Sequence, residues 1–543
     1  MIEDARPPNI LLVMADQLSA LATGPYGNGD VLTPHMDALA ARGVTFMHTY
    51  CNSPLCVPSR ASMMTGQLPS RLPVNDNGAG FGSDVPTFAH HLRRGGYRTV
   101  LAGKMHFVGP DQLHGFEERL TTDIYQSDYL WTPSWDRLRE MVRRARDPGD
   151  ATVYPAHTAQ GAAATGAGIV RWNMHLAHDE EVQYRALEHL RAAAASGSNG
   201  RPWLLCASFT HPHDPYTTLR AYWDRYEGRE IALPEPPPPD HTPHPMDEWV
   251  NVHHGLARIR PTPGQALRAR RGYYANTSYM DDKLGALVAE LERLDLSDNT
   301  IVIFTSDHGD QCGERGMWLK RSLHEWSARV PLVFAGPGIA AGGRVAANAT
   351  LVDLFPTLLA LADTPPPAGY GAFAPPLDGR DLSPWLRGET PADWDDTVRI
   401  EYNGDGTCAP IRAVVRGRHK FVGTGGEADQ LYDLDTDPHE WRNLADDPAH
   451  VGTATDLRAR LYADWNPAAM EGEALASQRR RLFLNEALYR GTYAPWDHQP
   501  FTDATRTYAR RSFDRPWAEQ VYQRWLIDSR GETGLREDVA EGE

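Results

Sequence analysis

The stretch NILLVMADQ, residues 9–17, decides the fold. Its unbroken apolar run, Ile10 to Met14, is too short for a buried helix and ends abruptly at a carboxylic acid and an amide, Asp16 and Gln17. A run without a polar face suits a strand covered on both sides. Similar runs recur at 98–102, 203–209, 300–305 and 331–335. Between them, residues 84–94, 180–195 and 273–294 carry apolar positions at helical spacing. Together they predict an α/β fold, a large mostly parallel sheet flanked by helices. In such sheets ligands bind beyond the carboxyl ends of the strands.

Polar residues that can do chemistry sit at those ends. Asp16 and Gln17 follow the first strand, Lys104 and His106 the second, His211 and His213 the third, Asp307 and His308 the fourth. Singly, an aspartate after a strand is more often a turn or cap residue than a ligand. Gathered on one sheet edge, two carboxylates, an amide oxygen and an imidazole suit a hard divalent cation, with calcium or magnesium favoured and manganese allowed by the histidine. His213, Asp310 and Cys312 are read as a supporting side chain, a helix cap and a packed thiol.

After a predicted strand at 44–50 comes CNSPLCVPSRASMMTG, residues 51–66. Pro58 and Ser59 suit the first turn of a helix, which puts Cys56 near its N-terminus. An anion such as sulfate would meet backbone N–H groups there and the guanidinium of Arg60.

Cys56-Val57-Pro58-Ser59-Arg60 resembles the Cys-x-Pro-x-Arg signature of type I, formylglycine-dependent sulfatases of the alkaline phosphatase superfamily. Asp16-Gln17, the segment GKMH at 103–106, THPHDP at 210–215, SDHGD at 306–310 and Lys320 follow in that family's order. The block GKMHFVGPDQLHGFEERLTTDIY, with THPHDPY and GERGMWLK, is most similar to choline sulfatases.

The resemblance implies that Cys56 is oxidised to formylglycine by a formylglycine-generating enzyme and that the hydrated aldehyde attacks sulfur. It further implies that Asp16, Gln17, Cys56, Asp307 and His308 hold one divalent cation, calcium first, manganese or magnesium otherwise. Arg60, Lys104 and Lys320 would add positive charge around the sulfate. His211 or Lys320 would protonate the leaving alcohol, and His106 would serve as base for sulfate release.

For a choline head, a quaternary ammonium, aromatic faces and a carboxylate are expected. Asn77, Trp131 and Glu401 stand where choline-site residues resemble them, and the tail adds Trp496, Asp497 and Asp503. A similar tail reaches a neighbouring subunit in that family, which predicts a homo-oligomer, a dimer or a tetramer. The segment NDNGAGF departs from a YDNAAEF-like pattern at Asn75 and Gly80. Other readings are a sulfatase for a different ester, a phosphonate or phosphate monoester hydrolase, and a silent protein that binds a quaternary ammonium or sulfate.

The rest of the 543-residue chain fits this plan. With 54 Lys and Arg against 71 Asp and Glu it carries a net charge of -17, which disfavours nucleic acid and anionic lipid. Mean hydropathy is -0.50, and no apolar run approaches a membrane span. The acidic start MIEDARPP lacks the pattern of a secretion signal, which predicts a cytoplasmic protein. Five cysteines without paired spacing argue against a disulfide framework. The expected division is a catalytic domain at 1–365, a Pro-rich linker at 366–395, a small antiparallel-sheet subdomain with one helix at 396–478, and a tail from 479 to 543.

Overall fold

The computed structural model describes residues 7–147, 159–195, 200–256, 260–364 and 377–490, and the backbone of two short strands at 525–527 and 533–535. In chain order the first ten strands are β1 (Asn9–Asp16), β2 (Val44–Tyr50), β3 (Arg98–Gly103), β4 (Glu118–Arg119), β5 (Gly168–Val170), β6 (Trp203–Pro212), β7 (Thr217–Leu219), β8 (Thr300–Ser306), β9 (Leu332–Ala335) and β10 (Gly343–Thr350). Eight form one sheet in the order β10-β2-β9-β8-β1-β6-β3-β4.

β1 lies in the middle, parallel to both β6 and β8, with Ile10 opposite Leu204 on one side and Ile301 on the other. Its residues alternate between two cores. Ile10, Leu12 and Met14 pack on one face, Leu11, Val13 and Ala15 on the other. Burying each large aliphatic side chain contributes roughly 2 kcal/mol, so an apolar run without a polar face is what this position demands.

β9 departs from the parallel expectation and runs antiparallel to β2 and β8. A parallel return needs a crossover along the sheet. Residues 307–331 hold only one 3-10 turn and the short helix Glu325–Ala328. The chain therefore stays over the carboxyl end of β8 and re-enters the sheet from there, leaving Lys320 above that edge. Helices also start differently from expectation. Pro263–Arg293 begins ahead of residue 273 because Thr262 and Gln265 form a capping box. Phe88–Arg94 begins after residue 84, at the Thr87 cap.

Beyond the main domain, β11 (Thr397–Tyr402), β12 (Ile411–Arg416), β13 (His419–Thr424) and β14 (Gln430–Asp433) form an antiparallel sheet. The helix Val451–Tyr462 covers it, Leu457 and Leu461 packing with Val414, Phe421 and Leu431. A second helix, Pro467–Leu488, follows and crosses residue 479, where a tail was expected to begin. Asn466 caps it, and Gln478 and Arg481 are buried, so this stretch is part of the folded body. The expected linker is described from residue 377. It includes the helix Ser383–Leu386, with Leu382 and Leu386 in the main core. Near the end of the chain, β15 (Trp525–Ile527) pairs with β16 (Thr533–Leu535) and with the chain's own β5. Among the described residues no helix is long and apolar enough to cross a membrane.

Candidate active site

The neighbouring strands β8, β1, β6 and β3 end side by side, and their next residues are those expected to carry the chemistry. Cys56 opens the buried helix Cys56–Thr65. Leu55 at the cap makes no side-chain hydrogen bond, and the missing acceptor comes from elsewhere, as Val57 N donates to Oδ1 of Asn77 at 3.0 Å. Ser59 Oγ donates to the Asp307 carbonyl at 2.5 Å. Arg60 donates through Nε to Asp307 Oδ2 at 2.8 Å, and through Nη1 to the Lys104 carbonyl at 2.6 Å and Ser208 Oγ at 2.9 Å. One helix turn thus carries the sulfur and locks the carboxylates beside it.

Asp16, Cys56, Asp307 and His308 each offer one ligand atom, all within 4.8 Å of one another and all buried. His308 donates from Nδ1 to the Gly309 carbonyl at 3.0 Å, which leaves the Nε2 lone pair facing inward. That Nε2 is 3.3 Å from Cys56 Sγ, 3.9 Å from Asp16 Oδ1 and 3.7 Å from Asp307 Oδ2. Asp16 Oδ1 is buried with no hydrogen-bond partner. A lone buried acceptor is destabilising by about 1–3 kcal/mol unless something meets it. The donor set and the orphaned oxygen both fit a divalent cation.

Gln17 is an exception to the expected ligand set. Its backbone N–H donates to Asp307 Oδ1, but its side chain turns away, Nε2 donating to Asp310 Oδ2 at 2.6 Å and Oε1 accepting from Lys320 Nζ. Its acceptor oxygen is therefore occupied. Asp310, expected as a helix cap, binds Gln17 and Tyr216 through one oxygen and the backbone of Cys312 and Leu319 through the other.

Positive charge surrounds the sulfur. Lys104 Nζ is 3.5 Å from Cys56 Sγ and pairs with Asp16. Burial alone would raise the Cys56 thiol, yet the charges of Lys104 and Lys320 work against it and the thiol is held well below its ordinary value. Burial likewise works to raise Asp16, and Lys104 pulls it down to about 2. The pocket stabilises negative charge on whatever atom stands at position 56.

His106 sits beside this group in a left-handed conformation, φ 56°, held because its backbone N–H and that of Met105 donate to Asp123. Its ring lies 5.1 Å from those of Tyr125 and Trp131, and Lys104 Nζ is 4.4 Å from the Tyr125 centroid. Burial keeps its imidazole below the ordinary value. His211 donates from Nδ1 to Asp179 at 2.6 Å, leaving Nε2 for proton transfer. His213 donates from Nδ1 to the Asp214 carbonyl at 2.7 Å and accepts from Lys320 Nζ at 2.6 Å.

Of the expected substrate contacts, Trp131 stands in the aromatic wall, whereas Asn77 caps the Cys56 helix. Glu401 does not offer a free charge, because Ser70 takes both of its oxygens and Arg412 shares one. Trp496, Asp497 and Asp503 lie outside the described residues. Sequence reasoning missed Asp123, Asp179 and Tyr125. The first and third lie within the GKMH-to-DIY block, but Asp179 sits inside a helix with no local sign that it supports His211.

The sulfatase family matches residues 8–364, the C-terminal family of N-sulphoglucosamine sulphohydrolase matches 313–466, and the family described as "Choline sulfatase enzyme C terminal" matches 472–521. The chain is 41% identical over 522 residues to the choline-sulfatase of Rhizobium meliloti (strain 1021), covering 94% of this chain and 98% of that one. It is 27% identical over 478 residues to arylsulfatase K of Canis lupus familiaris, covering 84% and 83%. Among solved structures, the phosphonate monoester hydrolase of Silicibacter pomeroyi shares the fold at a TM-score of 0.66 and 22% identity, over 83% of this chain and 94% of that one. With cysteine, carboxylates, imidazole and lysines meeting at one sheet edge, the chain belongs to the sulfatase family and is a sulfuric ester hydrolase.

Proposed function

We propose that this sulfatase cleaves choline-O-sulfate to choline and sulfate, with Cys56 oxidised to formylglycine and a divalent cation, calcium first, held by Asp16, Asp307, His308 and the modified residue 56. The observation that carries the substrate is the 41% identity to choline-sulfatase across nearly the whole of both chains. The aromatic wall of Tyr125 and Trp131 beside His106 supports it, since a quaternary ammonium prefers aromatic faces.

The formylglycine hydrate would supply a hydroxyl nucleophile on a carbon able to release sulfate afterwards, and the cation would supply Lewis-acid polarisation. The chain's own residues do the rest. Lys104 and Lys320 bring charge to the sulfate oxygens, and Arg60 keeps Asp307 and Asp16 in place. His211, oriented by Asp179, protonates the departing alkoxide oxygen. His106, kept neutral by burial, accepts the proton when sulfate leaves. Maturation falls to a separate formylglycine-generating enzyme, and the tail residues Trp496, Asp497 and Asp503 would contribute to the choline site of a neighbouring subunit in a homo-oligomer.

The test compares kcat/KM for choline sulfate, an aryl sulfate and a phosphonate monoester on enzyme co-expressed with a formylglycine-generating enzyme, alongside Cys56→Ala. Choline sulfate should dominate, the peptide spanning Cys56 should be lighter than its cysteine form, and Cys56→Ala should be inactive. Dominance of the phosphonate ester, or turnover with an unmodified thiol, would overturn the reading.

A further inference from the structure

Two walls of the site converge on one arginine of the Pro467–Leu488 helix. Arg481 is 5% exposed, and its Nη1 and Nη2 donate to Oδ1 and Oδ2 of Asp76 at 2.6 and 2.7 Å, across 405 residues of sequence. Nη1 also reaches Thr132 Oγ1 at 3.2 Å. Each contact leads to a functional group one residue further on.

On one side, Asp76 precedes Asn77, the acceptor for the Val57 N–H at the head of the Cys56 helix. The Asp76 carboxylate also accepts from Gly78 N at 2.9 Å, and its carbonyl accepts from Ala79 N at 3.0 Å, so it shapes the turn that aims Asn77. On the other side, Thr132 follows Trp131, which faces His106. The two segments touch, since a Cβ on Gly78 would stand 2.5 Å from Thr132 N. Gln478, on the same helix face as Arg481, accepts from Trp135 N at 3.0 Å and holds the far end of the Trp131 segment.

A buried ion pair is weak evidence for stability, because apolar side chains of similar size would hold a helix as well. What a bidentate guanidinium adds is direction. We propose that Arg481 is a positioning residue of the active site: through Asp76 and Asn77 it sets the start of the Cys56 helix, and through Thr132 it sets Trp131. This rests on the roles given above to Cys56 and Trp131.

The test uses the full-length, matured enzyme with Arg481→Met, Arg481→Lys, Asp76→Asn and Thr132→Val, reading kcat, KM and the melting midpoint. Arg139→Met is the control, because Arg139 ties a different part of the same helix, through Glu471, to the Cys408 carbonyl and contacts neither Asp76 nor Thr132, its one contact with the Trp131 segment being the Trp135 ring at 6.0 Å. Asp76→Asn should lower kcat by about 10-fold or more, since small misplacements of a nucleophile are expensive. Thr132→Val should raise KM by roughly threefold with kcat unchanged, a small substrate-binding loss. Arg481→Met should do both, Arg481→Lys should recover part, and Arg139→Met should change neither constant. A lower melting midpoint for Arg481→Met with both constants intact would overturn the proposal, as would equal losses in Arg139→Met. Should Arg481→Met not fold, Arg481→Lys and Thr132→Val decide by the same split. If the wild type prefers an aryl sulfate to choline sulfate, the substrate reading falls and the same comparison is made on the aryl ester.

Discussion

Nζ of Lys320 stands 2.6 Å from Nε2 of His213, whose other nitrogen donates to the carbonyl of Asp214. Lys320 is therefore held from two sides, by His213 and by Gln17 Oε1. His213→Ala removes one support while leaving the lysine in place. Supporting side chains of this kind alter activity by about 10- to 100-fold. The expected outcome is a kcat lowered within that range and a melting midpoint close to wild type, checked by steady-state kinetics and calorimetry.

Removal of the proposed cation tests the orphaned oxygen of Asp16. Dialysis against a chelator should lower turnover by about 1000-fold, because Lewis-acid assistance amounts to several kcal/mol. Calcium should restore it. Asp16→Asn and Asp307→Asn should stay inactive at saturating calcium, measured by activity titration and metal analysis. Restoration by manganese alone would reassign the ion.

His189 supplies a pH dependence of stability. Burial, with Arg98 nearby, lowers its imidazole to about 4 from an ordinary 6.5. Above 6.5 both folded and unfolded chains carry it neutral and its contribution is complete. Between 6.5 and 4 the unfolded chain takes up a proton that the folded one refuses, so stability falls as pH falls. The full loss is on the order of 3 kcal/mol. His189→Leu should flatten the melting midpoint against pH across that window, and an unchanged slope would refute the assignment.

Glu401 is expected to act on stability rather than on substrate. Its pairing with Arg412 is buried on both sides, each side chain 1% exposed. Glu401→Gln should destabilise the fold by about 3 kcal/mol, the usual effect of breaking a buried pair. KM for a cationic ester should be unchanged in the folded fraction, as read by denaturant titration and kinetics.

Which parts were legible follows from the range of the forces involved. Asp16, Lys104, Asp307 and His308 could be placed because each ends an apolar run whose length and composition already define a buried strand. Cys56 could be placed because Pro58 and Ser59 mark a helix start. The antiparallel β9 was not legible, since its direction depends on how residues 307–331 travel over the sheet edge. The partners of Glu401 and Gln17 were not legible for a related reason. A carboxylate or amide is spent on whichever donor lies nearest, and Arg412 and Lys320 are near only once the chain is folded.

Burial of apolar strands and capping of helices act over a few residues, so the α/β layout, the sulfatase signature and the chemical character of the strand ends can be read from order and spacing alone. Hydrogen bonds between side chains depend on contact and angle, which have no local period. Hence the support of His211 by Asp179, the turning of Gln17 toward Asp310, and the reach of Arg481 to Asp76 were decided only when distant segments met.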